Sequence, residues 1–180
     1  KILDRLQGKR QAFFFSATID ARVRQLIDRF TSEPHTVSVS ASSASESVHQ
    51  NVVRYHDNTD KLGKLHDLLI SEGVKKAIVF DETQRSVERL SNELIGRGFL
   101  ADAIHGGKSQ GQRQRALARL KKNEINILVA TDVAARGIDV PDVTHVINYS
   151  LPKGYDDYIH RIGRAGRAGK LGHALTFISN

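Results

Sequence analysis

Three arginines stand three residues apart in Tyr158-Ile-His-Arg-Ile-Gly-Arg-Ala-Gly-Arg167, at Arg161, Arg164 and Arg167. Glycines keep the same step at Gly163, Gly166 and Gly169. Residues three apart share a helix face, so the spacing predicts three guanidiniums pointing one way. A guanidinium is always charged and presents a planar fork of donors, which suits it to phosphate. Each glycine admits a backbone or a phosphate at short range. A solvated basic helix end fits the same spacing equally well. A collagen-like repeat does not, because the triplet stops after three rounds.

The elements that would hold this array follow a regular alternation from Val48 onward. Strands are expected at Gln50–Tyr55, Lys76–Asp81, Leu100–Ile104, Asn126–Ala130, Thr144–Tyr149 and His173–Ile178. Helices are expected between them at Asp60–Ser71, Gln84–Arg97, Ser109–Lys122 and Asp156–Arg164. Strand cores such as Ile127-Leu-Val-Ala130 are apolar throughout, as in strands covered on both faces. Such alternation predicts a parallel sheet with right-handed crossovers. Ligands of such sheets sit at the carboxyl ends of the strands. Thr83, Gly106, Thr131 and Asp132 fall just past expected strand ends, which points to a site there. Ahead of this region, Gln11–Ser16 is a strand candidate and Ala21–Phe30 has a helical apolar face at Val23, Leu26, Ile27 and Phe30. Thr36–Val39 alternates as a short strand would, and Ser38–Ser47 is rich in Ser and Ala, as in a linker.

Composition narrows the class. A chain of 180 residues holds one well-cored domain plus a tail. Its 27 basic and 20 acidic residues leave a net charge of +7, which favours a polyanionic partner. It has no Cys, so neither a disulfide framework nor a thiolate metal site is available. No apolar run approaches membrane-spanning length, and no signal peptide opens the chain. Lys1 begins a sequence without Met, which reads as a piece of a longer protein. The eight His include no helical metal-binding pair with a carboxylate helper, so no metal site is expected.

Several short motifs mislead. Gly107-Lys108-Ser109 imitates the end of a P-loop, but the required upstream Gly is Asp102. Gly107-Lys-Ser-Gln-Gly111 matches a nucleophile elbow, with Asp139 and His160 following in hydrolase order. A serine hydrolase built on Ser109 is therefore one alternative reading. Against it, Ser109 opens a helix and Gln112 stands three residues on, the pattern of a capping box. Gly163-Arg-Ala-Gly166 matches a KH-type loop, but over four residues only.

A longer segment, Ile127-Leu-Val-Ala-Thr-Asp-Val-Ala-Ala-Arg-Gly-Ile-Asp-Val-Pro141, precedes the arginine array. Together the two resemble motifs V and VI of the DEAD-box RNA helicases, in the broad superfamily of two-lobed RNA-dependent ATPases. Phe13-Phe-Phe-Ser-Ala-Thr18 resembles motif III, and Ala77-Ile-Val-Phe-Asp-Glu-Thr83 resembles motif IV. His105-Gly-Gly-Lys-Ser-Gln-Gly-Gln-Arg113 resembles the segment with the Gln-x-x-Arg motif. The pieces run in family order and cover nearly the whole chain. The resemblance implies an α/β, RecA-like (P-loop NTPase-type) parallel sheet with helices on both faces. It implies the tail of a first lobe at 1–37, a linker at 38–47 and a second RecA-like lobe at 48–180. The implied function is the second lobe of a cytoplasmic, ATP-dependent RNA helicase. A non-catalytic RNA-binding module is the other alternative, because this chain has neither a P-loop nor an Asp-Glu-Ala-Asp box.

The resemblance also implies roles. Arg164 and Arg167 correspond to arginine fingers on the terminal phosphate of ATP, and His160 to a residue linking motif VI to Ser16 and Thr18. Asp139 corresponds to the residue that accepts from the ribose hydroxyls, with Gly137 allowing close approach. Arg136 is an interlobe residue, and Arg161 is either structural or interlobe. Thr83, Gly106, Gln110, Arg113 and Thr131 correspond to RNA-backbone contacts, which hold phosphates without reading bases. Gln110 could equally be a solvated first-turn residue, and Arg113 an ion-pair residue. The Mg²⁺ ligands and the general base are expected in the first lobe. Three positions depart from the family pattern: Ala165 for a common Thr, Gly107 for a usual Asp, and Asp81 where an apolar or small residue is frequent.

Phe13, Phe14 and Phe15 read as an interior strand of that first lobe. Burial of each is worth roughly 1.5–3 kcal/mol, so alone they need a substitute partner. The segment is expected either to pair along a sheet edge, giving a swapped dimer through residues 11–18, or to lie against the second lobe in a non-native place. Light scattering of the full chain and of a chain starting at Ser45 tests this, and the shorter chain should be monomeric and equally well folded. Unfolding of the shorter chain would make the first 40 residues integral to the domain.

Overall fold

The computed structural model describes residues 11–16, 19–38, 47–167 and 169–180. The chain divides into two compact units, residues 1–40 and 41–180.

The first unit has one described helix, α1 (Ala21–Phe30). Asp20 caps it by accepting from the Val23 N–H at 2.8 Å. The strand expected at Gln11–Ser16 is not formed, and residues 36–38 form none either. A strand exists only through its pairing partner, and no second strand is present among the described residues of this unit. The Phe13 and Phe15 rings do lie on one side, with centroids 6.4 Å apart. Val39, the end of the second expected strand, lies outside the described residues.

The second unit is one six-stranded sheet. In chain order it runs β1 (Val48–Tyr55), α2 (Asn58–Leu69), β2 (Ala77–Phe80), α3 (Gln84–Gly96), β3 (Ala101–Ile104), α4 (Gln110–Lys121), β4 (Ile127–Ala130), α5 (Asp132–Ala135), β5 (His145–Asn148), α6 (Tyr155–Ile162) and β6 (Gly172–Ser179). The strands lie in the order β1-β6-β5-β2-β4-β3, and every pairing is parallel. β2, β4 and β5 are buried at every position. Strand alternation therefore feeds two cores. Ile78, Phe80, Leu128, Ala130 and Val146 pack with Ala116 and Leu120 of α4 and Ala134 and Ala135 of α5. Val79, Ile127, Val129 and Ile147 face the other way, against Leu65 and Leu69 of α2 and Val87, Leu90 and Leu94 of α3. Helices cover both faces, as the continuous apolar strands require.

Local chemistry sets the helix starts. Asp57 caps α2 through the Thr59 and Asp60 N–H groups. Thr83 and Ser86 form a capping box at α3. Ser109 and Gln112 form another at α4, with bonds of 2.8 and 3.3 Å. The Ser109 hydroxyl is thus a helix cap, and no imidazole accompanies it among the described residues.

A cross-strand histidine ladder marks the amino-terminal end of the sheet. His49, His173 and His145 are register neighbours on β1, β6 and β5. Their ring centroids are 5.5 and 4.8 Å apart. His145 is only 6% exposed. Burial, and secondarily the charge of His173, lowers its pKa to about 4. The folded chain therefore holds His145 neutral, while the unfolded chain protonates it below its ordinary value of 6.5. Stability should be intact above that pH and fall as the pH drops towards 4, by about 2–3 kcal/mol from this group. His145→Gln should remove that part of the acid sensitivity in urea titrations at pH 7 and 4.5. An unchanged difference between the two pH values would show that other groups carry it.

Candidate nucleotide and nucleic-acid site

The arginine array does not present one face. α6 ends at Ile162, so only Arg161 lies on it; Arg164 follows in a turn, and Arg167 lies beyond in irregular backbone. Gly166 helps to explain the break. It has φ +66, and a Cβ there would meet Ser47 O at 2.8 Å and Val48 Cγ2 at 2.9 Å. Here the glycine makes room for the chain's own backbone at the start of β1.

Arg161 points into the protein and is 2% exposed. Its Nε and Nη2 donate to Asp132 Oδ1 and Oδ2 at 2.6 and 2.8 Å. Its Nη1 donates to Asn148 Oδ1 at 3.1 Å and Ser150 O at 2.7 Å. The guanidinium carbon lies 5.0 Å from the Phe80 ring centroid. Four hydrogen bonds thus engage the forked group inside the lobe. It ties α6 to α5 and to the ends of β2 and β5.

Arg164 and Arg167 turn towards the loop after α5. Arg164 donates from Nε to His160 O at 3.2 Å and from Nη1 to Ile138 O at 2.8 Å. Arg167 donates from Nε to Gly163 O at 2.9 Å and from Nη1 to Asp139 Oδ1 at 2.9 Å. Among the described residues, neither Nη2 has a hydrogen-bond partner. Burial and then the neighbouring Arg167 lower the Arg164 pKa, and Asp139 opposes them. Two like charges with unused donors favour an anion between them. Gly137, with φ +75, makes the bend that brings Ile138 and Asp139 to the arginines. Arg136 reaches Asp157 at 4.0 Å and is 70% exposed. Arg136, His160 and Arg164 border a small depression of about 20 Å³, room for one water. Ser16 belongs to the first unit, and Thr18 lies outside the described residues.

The expected RNA residues gather at the carboxyl ends of three adjacent strands. Thr83 follows β2, Thr131 follows β4, and Gly106 follows β3. Thr83 is exposed, and its hydroxyl is engaged in the α3 cap. Thr131 is 7% exposed and begins α5 without a side-chain cap bond. Gln110 is exposed on the first turn of α4. Arg113 donates to Gln110 Oε1 at 3.5 Å and to Ala134 O at 3.2 Å, so it also braces α5.

One supporting group was not expected from the sequence. His105 Nδ1 accepts from the Gly107 N–H at 3.1 Å. That leaves Nε2 to donate to Glu88 Oε2 at 2.9 Å. Lys108 also pairs with Glu88, at 2.9 Å. His105 and then Lys108 hold the Glu88 carboxyl below its usual range. The cluster pins the Gly106–Gly107 loop to α3. The α5 helix and the Asp132–Arg161 pair were likewise unanticipated.

Residues 60–169 match the helicase conserved C-terminal domain. The chain belongs to that family. This helicase C-terminal domain is 42% identical over 179 residues to the DEAD-box ATP-dependent RNA helicase CshA of Geobacillus kaustophilus. The match covers 99% of this chain and 38% of that protein, so the chain spans well under half of its relative. The C-terminal domain of the DEAD-box protein Dbp5 matches with a TM-score of 0.68 and 30% identity, over 76% of this chain and 79% of that one. S. cerevisiae Dbp5 bound to RNA and ADP BeF3 matches with a TM-score of 0.78 and 29% identity, over 92% and 44%. The helicase domain described here therefore has the RecA-like fold of DEAD-box C-terminal lobes. Among its described residues, no helix is long and apolar enough to cross a membrane.

The buried fork of Arg161 generates a stability prediction. Arg161→Met leaves Asp132 without its partner, and breaking a buried pair costs about 3–5 kcal/mol. Arg161→Lys keeps the charge but loses the fork, so its loss should be intermediate. Urea denaturation of the three chains tests the order. A loss within about 1 kcal/mol for Arg161→Met, typical of exposed pairs, would remove Arg161 from its central place.

Proposed function

We propose that the chain is the second lobe of an ATP-dependent RNA helicase. Arg164 and Arg167 supply positive charge to ATP hydrolysis, and the loops at Thr83, Gly106, Gln110, Arg113 and Thr131 hold an RNA backbone. The observation that carries the reading is the pair of unused Nη2 groups beside Asp139. Guanidiniums held by their other nitrogens are pre-aimed, so little entropy is lost when a phosphate arrives. Asp139 is exposed and ready to accept from ribose hydroxyls. His160 and Arg136 lie on the rim of the same surface.

In this reading the nucleotide lies between two lobes. The first lobe provides the phosphate clamp, the Mg²⁺ ligands and the base that activates water. This lobe stabilises charge spreading over the transferred phosphoryl oxygens, a contribution worth roughly 10³–10⁵ in related NTPases. RNA crosses the carboxyl-end loops through its phosphates, so binding is salt-sensitive and nearly blind to sequence. The lobe alone turns over no ATP. Relatives named as DEAD-box RNA helicases and a Dbp5 structure bound to RNA support the assignment.

In the complete two-lobed protein, Arg164→Ala or Arg167→Ala should lower RNA-stimulated ATP turnover by about 10²-fold or more, with the fold retained. The measurement is steady-state phosphate release together with the circular dichroism melting curve. A wild-type rate in both variants would return these arginines to a solvated face.

A further inference from the structure

The amino-terminal end of the sheet holds a cleft of which the helicase reading uses only one wall, Arg167. Lys76, Asn126 and Thr144 immediately precede β2, β4 and β5, and Leu171 precedes β6. With neighbouring residues they line a volume of about 510 Å³. Small-ligand sites occupy roughly 300–1,000 Å³. In a parallel sheet this end is opposite to the one carrying Thr83, Gly106 and Thr131, so the cleft is separate from those loops and meets the nucleotide site only at Arg167.

The lining is cationic and under-bonded. Lys75, Lys76, Lys170 and Arg167 line it together with a single carboxylate, Asp142. Lys76 is only 5% exposed. Its ammonium has three donors but one protein contact, Pro141 O at 3.5 Å, the long limit of a hydrogen bond. A buried ammonium so thinly satisfied is costly unless an anion completes it. Lys170 pairs with Asp142 at the rim, which leaves its other donors for a ligand. Asp142 is held below the usual carboxylate range by its bond to Lys170 and, more weakly, by the charge of Lys76, and it pairs with Lys170 alone. Asn126 contributes a second kind of vacant group. Its Oδ1 is buried with no hydrogen-bond partner. A hydroxyl donor on a ligand would satisfy it if the amide turned towards the cleft. Val143 and the exposed Leu171 add an apolar wall.

We propose that this cleft binds a small phosphorylated sugar, its phosphate on Lys75, Lys76 and Lys170 and a sugar hydroxyl on Asn126. A bare phosphate would leave Asn126 unpaired, and a neutral sugar would leave Lys76 unpaired. The same chemistry is offered by a free sugar phosphate and by the 5′-phosphorylated end of an RNA strand. Arg167 is a wall of the cleft, but its Nε and Nη1 are engaged elsewhere.

Calorimetric titration of the 180-residue chain with ribose 5-phosphate and with inorganic phosphate tests the site. Ribose 5-phosphate should bind at one saturable site. Lys75 and Lys170 are exposed, so the double variant Lys75→Glu, Lys170→Glu should fold and weaken both probes at least about tenfold. Asn126→Ala should weaken ribose 5-phosphate about fivefold and leave inorganic phosphate unchanged. Competition by a 5′-phosphorylated oligoribonucleotide identifies an RNA end as the ligand, and its failure identifies a free metabolite. Absence of saturation up to ~10 mM, a value corresponding to negligible affinity, overturns the site, as does unchanged binding in the double variant. Equal effects of Asn126→Ala on both probes overturn the sugar assignment.

Discussion

The lobe depends on a buried guanidinium. Arg161 is charged and nearly sealed from water, so the helix that carries it docks only where acceptors and a counter-charge meet it, and four of its five N–H groups find acceptors. Asp132 supplies two acceptors, Asn148 and Ser150 the rest. These partners sit on α5, on β5 and just beyond it, so one side chain sets the depth and rotation of α6. The following turns inherit that placement. Arg164 returns to His160 O, on the same helix, and crosses to Ile138 O, in the loop after α5. A misplaced Arg161 would therefore misplace the two half-buried arginines without touching them.

Electrostatics then separate three arginines that the sequence spaces identically. The innermost is neutralised by a carboxylate and neutral acceptors. The outer two are held mainly by carbonyl oxygens, which orient a guanidinium without cancelling its charge. Asp139 offsets Arg167 only in part, because its side chain is 88% exposed and screened by water. Positive potential is thus left at the surface, beside a loop whose Gly137 bend keeps backbone carbonyls facing the arginines. An arrangement that orients cations while leaving them unquenched suits a transient, highly charged ligand better than a permanent structural pair.

Local signals in the chain account for most elements and for few of the contacts. Apolar runs such as Ile127-Leu-Val-Ala130 and caps such as Ser109 with Gln112 are written within a few residues, and the strands and helices they predict are present. α5 is a single turn, too short for a periodic pattern, and the Asp132–Arg161 pair spans 29 positions. Neither has a local signal. The three-residue step of the arginines was legible, but its meaning was not. Helical phase beyond Ile162 is ended by Gly163 and by Gly166, whose close approach to Ser47 is a contact across 119 positions. Gln11–Ser16 failed as a strand for the complementary reason: three adjacent Phe signal burial, and they do not say in what.

The departures from the family pattern become intelligible through packing. Ala165 is 3% exposed, and a Cβ placed at Gly172 would come within 2.7 Å of its methyl group. A branched side chain at 165 has no room on that side. Gly107 lies under Gln84 and beside His105, where a Cβ would come within 2.9 Å of Gln84 Oε1 and 3.1 Å of His105 Nδ1. An acidic residue there would collide with the imidazole that anchors the loop to Glu88. Asp81 is mostly buried, and its Oδ1 accepts from the Glu82 N–H at 2.8 Å, closing the turn between β2 and Thr83. All three substitutions fall where backbone segments meet, and none supplies or removes a donor at Arg164, Arg167 or Asp139. Each of the three is thus accounted for by packing or hydrogen bonding in its own turn, and the contacts of Arg164, Arg167 and Asp139 do not run through them.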